Sequence, residues 1–156
     1  MFLSINGYLL FVTTVRPERI LVYSMVSKKL KCNEEVHAQI GVDYGTSIAF
    51  DDMQNLLFVG QKAGHITIYK YQNYDSEVGT LTEIFQFGYL FKGLINDINI
   101  KKDEKIAIFS SEDGTIRFIN YQDHKAIDKN YNIIIGAHDN WIYDTDAISV
   151  KTGQYL

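Results

Sequence analysis

The chain repeats part of its own sequence at a spacing of fifty residues. Residues 47–72 align with residues 97–122 without a gap, so the apolar runs and the connections between them fall at matching positions. Gly64 aligns with Gly114, between two apolar runs in each copy, where a tight turn calls for positive φ. Because the turn glycine, both connection lengths and the ends of the runs all match, chance alternation is a poor explanation. The repeat predicts a chain built from similar units, with the two glycines in equivalent hairpin turns.

Two incomplete copies flank the aligned pair. Near the start of the chain, residues 9–12 and 19–23 match the two apolar runs of the unit. Near its end, residues 142–148 resemble the first strand of the unit, and residues 152–156 resemble residues 5–9. The spacing is close to that of propeller blades. We therefore divide the chain into units of about 1–40, 41–88 and 89–136, with residues 137–156 opening a fourth unit.

Within a unit the pattern is that of short antiparallel strands. Residues 55–60 are apolar almost throughout, which is expected of a strand covered on both faces. Asp113 before Gly114 is a strong tight-turn signal, and polar and apolar residues alternate after it. Further strands are predicted at residues 80–87 and 130–135. Each unit is thus expected to contain four strands and little helix.

A serine–aspartate–glycine hairpin at residues 110–118 and a Gly-His start at residues 136–141, with Ala137 inserted, point to a known family. His37 holds a comparable place before the second unit. In these segments the chain resembles the WD-repeat family, and the resemblance covers nearly its whole length. It implies an all-β fold, a single partial β-propeller of about three four-stranded antiparallel blades spanning residues 1–156.

The chain departs from the family at its signature pair. No unit carries the Trp-Asp pair, and the positions expected for Trp hold Tyr23, Tyr69 and Ile119. The family's hydrogen-bonded set of His, Ser or Thr, Asp and Trp is therefore incomplete in every unit. The propeller prediction depends on the strand pattern and the hairpins rather than on this pair.

Charge and cysteine content exclude several classes of protein. The net charge of −4 opposes general binding to nucleic-acid phosphates. Cys32 is the only cysteine, which excludes an intrachain disulfide and a cysteine-based zinc site. No apolar run approaches the roughly 20 residues of a membrane span, and the start lacks the basic segment of a signal peptide. We expect a cytoplasmic protein that neither binds nucleic acid nor spans a membrane.

The sequence contains no glycine-rich phosphate loop, no nucleophile elbow and no zinc-binding His-Glu-x-x-His helix. His138 lies near Asp139, Asp144 and Asp146, a set that resembles metal ligands. At the start of a blade, a structural histidine that supports a turn is the better interpretation. We therefore predict a protein that is not an enzyme and needs no metal or other cofactor.

The sequence contains two pairs of carboxylates, and paired acids can perform acid/base catalysis. Asp51 with Asp52, and Asp103 with Glu104, both fall between the first and second strands of a unit. That position predicts exposed turn residues rather than a catalytic site.

The resemblance to propellers implies binding through the loops that converge from successive blades. Other proteins in a multi-subunit assembly are the expected partners. Trp141, the only tryptophan, is either a core residue between blades, which is the favoured interpretation, or an exposed residue at a binding rim. The predicted partner-binding residues, all in loops that open a unit, are Asp43, Tyr44, Lys92, Asp139, Asn140 and Trp141.

A phosphoinositide-binding propeller is the alternative function. Such a protein would need paired arginines on a blade edge. Arg16 and Arg19 flank Pro17 and Glu18 and do not form such a pair. Protein binding is therefore favoured over lipid binding.

Three units cannot close a propeller, because propellers carry four to eight blades. We expect further units of a longer chain, the favoured possibility, or other subunits to complete the ring. The apolar residues 9–12 and 142–148 each require a neighbouring blade. Residues 1–156 alone are expected to be insoluble, molten or self-associated, with those two segments packed on protein from outside this chain.

Overall fold

The computed structural model describes residues 2–3, 9–15, 18–26, 29–32, 38–39, 43–73, 79–88, 90–122, 131–134 and 141–146. For residues 2–3, 25–26, 29–32, 38–39 and 131–134 the backbone alone is described. Within these ranges the chain forms three antiparallel β-sheets and no helix. The prediction of an all-β fold made of antiparallel sheets is therefore confirmed.

The three sheets follow one another along the chain. The N-terminal sheet contains β1 (Phe2–Leu3), β2 (Leu9–Val15), β3 (Glu18–Val26) and β4 (Lys29–Cys32) in that order, and β5 (Ala38–Gln39) also pairs with β3. The middle sheet contains β6 (Gly45–Asp51), β7 (Leu56–Gln61), β8 (Ile66–Gln72) and β9 (Thr80–Phe87). The C-terminal sheet contains β10 (Ile95–Lys101), β11 (Ile106–Ser111), β12 (Ile116–Asn120) and β13 (Tyr131–Ile134).

The middle and C-terminal sheets repeat each other at the level of single hydrogen bonds. Gly64 has a φ of 82° and Gly114 a φ of 76°, so both occupy the left-handed region. The Gly64 amide donates to the Gln61 carbonyl at 3.1 Å, and the Gly114 amide donates to the Ser111 carbonyl at 3.2 Å. The predicted equivalence of the two hairpin turns is therefore confirmed.

The turn that precedes each of these hairpins is also repeated, although it contains no glycine. Asn55 has a φ of 52° and Lys105 a φ of 57°, and the two positions are fifty residues apart. Their carbonyls accept hydrogen bonds from the amides of Tyr71 at 2.8 Å and Tyr121 at 2.9 Å. These bonds hold non-glycine residues in a region that costs about 1–3 kcal/mol.

The middle sheet is covered on both faces, because successive side chains of a strand point to opposite sides. Leu57 and Val59 pack with Phe11 of the N-terminal sheet. Leu56 and Phe58 pack against the C-terminal sheet. Every residue of β7 is buried, so the prediction that this apolar run is sandwiched between sheets is confirmed.

One residue of each segment that was expected to pack on protein from outside the chain packs within it. Phe11 is fully buried, and its ring centroid lies 4.8 Å from that of Phe50 in the middle sheet. Ile142 is 5% exposed, and its amide donates to the carbonyl of Ser111 at 3.3 Å. For these residues the prediction was wrong, because neighbouring sheets of the same chain supply the cover. Residues 141–146 form no strand, and residues 147–148 lie outside the described residues.

Candidate interaction surface

The two repeated hairpin turns lie beside the segments that lead into the first strands of their own sheets. The Lys62 amide donates to the Tyr44 carbonyl at 3.3 Å. Fifty residues later, the Glu112 amide donates to the Leu94 carbonyl at 3.0 Å. The turns and the lead-in segments therefore share one edge of the stacked sheets.

Each turn also holds the lead-in segment of the following unit. The Phe91 amide donates to the Gly64 carbonyl at 3.2 Å, and the Ile142 amide donates to the Ser111 carbonyl at 3.3 Å. Within the C-terminal unit itself, the Lys92 amide donates to Oδ2 of Asp113 at 2.7 Å. These contacts join five segments into one surface, the hairpin edge, which comprises residues 43–44, 62–65, 90–94, 112–115 and 141–143.

Four of the six predicted partner-binding residues lie on the hairpin edge. Oδ1 of Asp43 accepts a hydrogen bond from the Tyr44 amide at 2.8 Å. Lys62 Nζ lies 5.4 Å from the centroid of the Tyr44 ring, within the range of a cation–π interaction. Lys92 is exposed, as is Trp141. Asp139 and Asn140 lie outside the described residues, and the binding role of all six stays a prediction.

Trp141 is not a core residue, so the favoured interpretation of it was wrong. Its side chain is 54% exposed, and Tyr143 beside it is 67% exposed. Their ring centroids are 6.1 Å apart with an interplanar angle of 75°, an edge-to-face contact. Sequence reasoning missed Tyr143, although residues two apart in extended backbone project to the same side. The two rings form a solvent-facing aromatic pair at one end of the hairpin edge.

Asp113 organises the centre of the hairpin edge. Its Oδ1 accepts hydrogen bonds from the Thr115 hydroxyl at 2.6 Å and the Thr115 amide at 3.0 Å, while Lys92 donates to Oδ2. Partial burial raises the pKa of Asp113, but these hydrogen bonds and one from Ser111 outweigh burial, so the net pKa lies below its usual range. The carboxylate is therefore held ionised and ties the second hairpin to the segment before β10.

Asp97 has the opposite electrostatic environment. Its Oδ2 accepts hydrogen bonds from the amide and the hydroxyl of Thr145, both at 3.2 Å. Burial nevertheless raises the pKa of Asp97, and the negative charge of Asp144 adds to this effect. The carboxylate thus positions residues 141–146 against β10 at some electrostatic cost.

At the opposite edge of the sheets, Asp51 is buried, which corrects the prediction of an exposed turn residue. It is 0% exposed and accepts hydrogen bonds from the Met53 and Gln54 amides and, at 2.7 Å, from the Tyr121 hydroxyl. Lys105 Nζ lies 4.0 Å from the carboxylate. Burial and the bond to Asp51 raise the pKa of Tyr121. This contact clamps the middle sheet to the C-terminal sheet.

The other carboxylates of the two pairs behave as turn residues. Asp52 is half-buried and forms a salt bridge with Lys102 at 2.6 Å between Oδ1 and Nζ. Asp103 is exposed, as predicted, and Glu104 is half-buried. Asp51 serves the clamp between the two sheets through its hydrogen bond with Tyr121.

Several other sequence predictions are untested. His37, His138 and Arg16 lie outside the described residues, and Cys32 is described only by its backbone. Among the residues whose positions are described, no group of three or more His, Cys, Asp or Glu side chains could hold a metal ion. The described ranges also contain no helix with the length and apolar character needed to cross a membrane.

Comparison with known proteins gives no further assignment. Neither a protein-family model nor a curated protein sequence matches this chain.

Proposed function

We propose that this protein is a non-enzymatic protein-interaction scaffold, a WD-repeat-like β-propeller segment that acts within a larger protein or assembly. Three features support the propeller: the fifty-residue repeat, the four-stranded middle sheet and the stacking of three sheets face to face. The first strands of neighbouring sheets also lie together, with β10 against β6 and β1 against β6. Such convergence of first strands is expected where sheets radiate from a central axis.

The exposed pair formed by Trp141 and Tyr143 carries the binding proposal. Trp and Tyr are enriched among the residues that contribute most to protein–protein affinity, because they bury a large area at a small entropic cost. Both rings face solvent on the hairpin edge. They sit beside the second hairpin, through the bond between Ile142 and Ser111.

The test is photo-cross-linking in the native cell extract. A benzophenone amino acid is placed at Tyr143 and, as the matched control, at Ile84, which is 41% exposed on β9. We expect a discrete cross-linked protein from position 143 and none from position 84. The cross-link should disappear in Trp141→Ala, which removes one ring and changes stability by less than about 0.5 kcal/mol, as surface substitutions do.

Two outcomes would contradict the proposal. Equal cross-linking from positions 143 and 84 would indicate nonspecific capture. A cross-link that survives Trp141→Ala with unchanged yield would mean that the aromatic pair is not the binding surface.

Phosphoinositide binding has no comparable support. Arg19 is half-buried, and Arg16 lies outside the described residues. Flotation with liposomes containing phosphoinositides separates the two functions. Under the scaffold proposal the protein stays at the bottom of the gradient.

A further inference from the structure

The outer face of the C-terminal sheet resembles a face that is covered elsewhere in the same molecule. In the middle sheet, the side chains that the C-terminal sheet covers are wholly buried at 0% exposure; they are Leu56, Phe58, Ile66 and Ile68. The residues fifty positions later are also all apolar: Ile106, Ile108, Ile116 and Phe118. Ala107, Phe109 and Ile119 face the middle sheet, so this second set faces away from it.

That outer face is incompletely covered. Ile106, Ile116 and Phe118 are half-buried, whereas their counterparts in the middle sheet are fully buried. An apolar sheet face of this kind is stabilised when another sheet packs on it.

The N-terminal sheet has an incomplete face of the complementary kind. Phe11, Ile20 and Val22 point toward the middle sheet. The alternate residues therefore point outward, and all four are half-buried: Leu10, Val12, Leu21 and Tyr23. In the repeat, Leu10, Val12 and Tyr23 align with Leu57, Val59 and Tyr69. Those three residues belong to the face of the middle sheet that packs against the N-terminal sheet.

The two end faces thus match the two halves of an interface that this chain already makes. The outer face of the C-terminal sheet corresponds to the face of the middle sheet that packs against the C-terminal sheet. The outer face of the N-terminal sheet corresponds to the face of the middle sheet that packs against the N-terminal sheet. Such a pair of different, complementary patches gives head-to-tail association.

The segment after the C-terminal sheet is placed as a first strand would be. Thr46 Oγ1 donates to the Ile95 carbonyl at 2.6 Å, which fixes β10 beside β6. Fifty residues after Thr46, Asn96 Nδ2 donates to the Ile142 carbonyl at 2.7 Å. Residues 141–146 therefore lie beside β10 in the same way as β10 lies beside β6. The N-terminal sheet has a first strand of two residues, β1, whereas β6 and β10 have seven each.

We propose that a second copy of this chain packs its N-terminal sheet on the outer face of the C-terminal sheet, and that two copies close into a ring of six sheets. The head-to-tail contact follows from the interfaces described above. Closure rests on the proposed propeller, whose rings hold four to eight blades. In the ring, residues 141–146 of each copy lie beside β1 of the other.

The experiment measures the mass of the whole chain in solution by sedimentation velocity and native mass spectrometry. The wild-type chain should have twice the 17.9 kDa mass of one copy. Phe118→Asp disables one end face and Val12→Asp disables the other, and each variant alone should be monomeric. Ile84→Asp, on an exposed position of β9 outside both faces, is the matched control and should remain dimeric.

Mixing the two disabled variants tests the direction of association. Each retains one intact face, so an isotope-labelled Phe118→Asp chain and an unlabelled Val12→Asp chain should form a 1:1 heterodimer. Because that heterodimer has one interface instead of two, it should dissociate at concentrations at which the wild type stays dimeric. Ile116→Thr, which keeps a β-branched residue in β12, should weaken the wild-type dimer without changing the circular dichroism spectrum.

A monomeric wild-type chain at micromolar concentrations would overturn the proposal. A dimer that survives both single substitutions would show a symmetric interface instead, and an open series of larger oligomers would contradict ring closure. Solution mass and cross-linking from position 143 are separate readouts, so failure of the binding proposal and failure of this one are distinguishable.

Discussion

The hairpin turns of the middle and C-terminal sheets have the same backbone and different side chains. Both place glycine at a φ near 80° and both close with equivalent backbone hydrogen bonds. The first turn is joined to the segment before β6 by the backbone bond from the Lys62 amide to the Tyr44 carbonyl. The second turn has the equivalent bond from the Glu112 amide, and Asp113, in place of Ala63, adds bonds to Lys92 and Thr115.

The two turns show that the backbone conformation and the side-chain attachments of a turn have different causes. Glycine and the hairpin length determine the backbone conformation, because the turn with Ala63 and the turn with Asp113 have the same conformation. The carboxylate adds a pH-sensitive attachment to the segment before β10, which Ala63 of the first turn cannot supply. Sequence divergence between the copies has therefore added a side-chain attachment without changing the backbone of the turn.

The largest expected effect is at the turn glycines. A Cβ at Gly64 would lie 2.2 Å from the Phe91 carbonyl oxygen and 2.7 Å from its carbon, which are backbone atoms. We expect Gly64→Val to destabilise the fold by more than about 3 kcal/mol, since a clash adds to the unfavourable φ. Gly114→Val should cost at least about 1–3 kcal/mol, because its φ of 76° is equally unfavourable to a Cβ. Urea unfolding measures both losses, and a negligible loss at either glycine would contradict the equivalence of the two turns.

A smaller effect is expected at the equivalent tyrosines of β8 and of the end of β12. Tyr121 donates to the buried Asp51 in another sheet, whereas the Tyr71 hydroxyl accepts from the Gly79 amide of its own sheet at 3.1 Å. Tyr121→Phe should cost about 2 kcal/mol because it removes a donor from a buried charge. Tyr71→Phe should cost about 1 kcal/mol, as for a neutral hydrogen bond. The free energy of unfolding should fall more for Tyr121→Phe than for Tyr71→Phe. The reverse order would mean that the clamp between the two sheets is weak.

The smallest effects are expected at Asp113 and Asp97, and they should have opposite pH dependence. The folded state lowers the pKa of Asp113, so its contribution is present above the unfolded pKa and lost as pH falls through the folded pKa. Asp113→Asn should therefore cost about 1 kcal/mol at pH 7 and less under acid conditions.

Folding raises the pKa of Asp97, so its contribution is present below the unfolded pKa and lost as pH rises through the folded pKa. Asp97→Asn should be at least as stable as the wild type at pH 7, because asparagine still accepts from Thr145. Urea unfolding at neutral and acid pH checks both variants. If the stability of both variants relative to the wild type changed in the same direction with pH, the two carboxylates would have similar electrostatic environments.

The local features of the fold were predictable from the sequence. Strands at residues 80–87 and 130–135 correspond to β9 and β13, and the hairpin glycines behave as expected. Strand periodicity and turn chemistry depend on neighbouring residues, so one sequence contains enough information for them.

The errors concern contacts between distant residues. The burial of Asp51 depends on Tyr121, seventy positions away, and its own turn sequence contains no sign of that partner. A core position was favoured for Trp141, but its side chain is exposed. The two-residue β1 is too short to produce a periodic pattern.

The bonds from Thr46 to the Ile95 carbonyl and from Asn96 to the Ile142 carbonyl have a consequence for how such a chain diverges. In each case a side chain supplies the donor and the receiving unit supplies a main-chain oxygen, which every amino acid possesses. A duplicated unit would inherit a working attachment to its predecessor whatever residue it acquired at the receiving position. The donor itself has already changed from a hydroxyl to an amide. Copies joined in this way can drift far apart in sequence while the register between their sheets is retained.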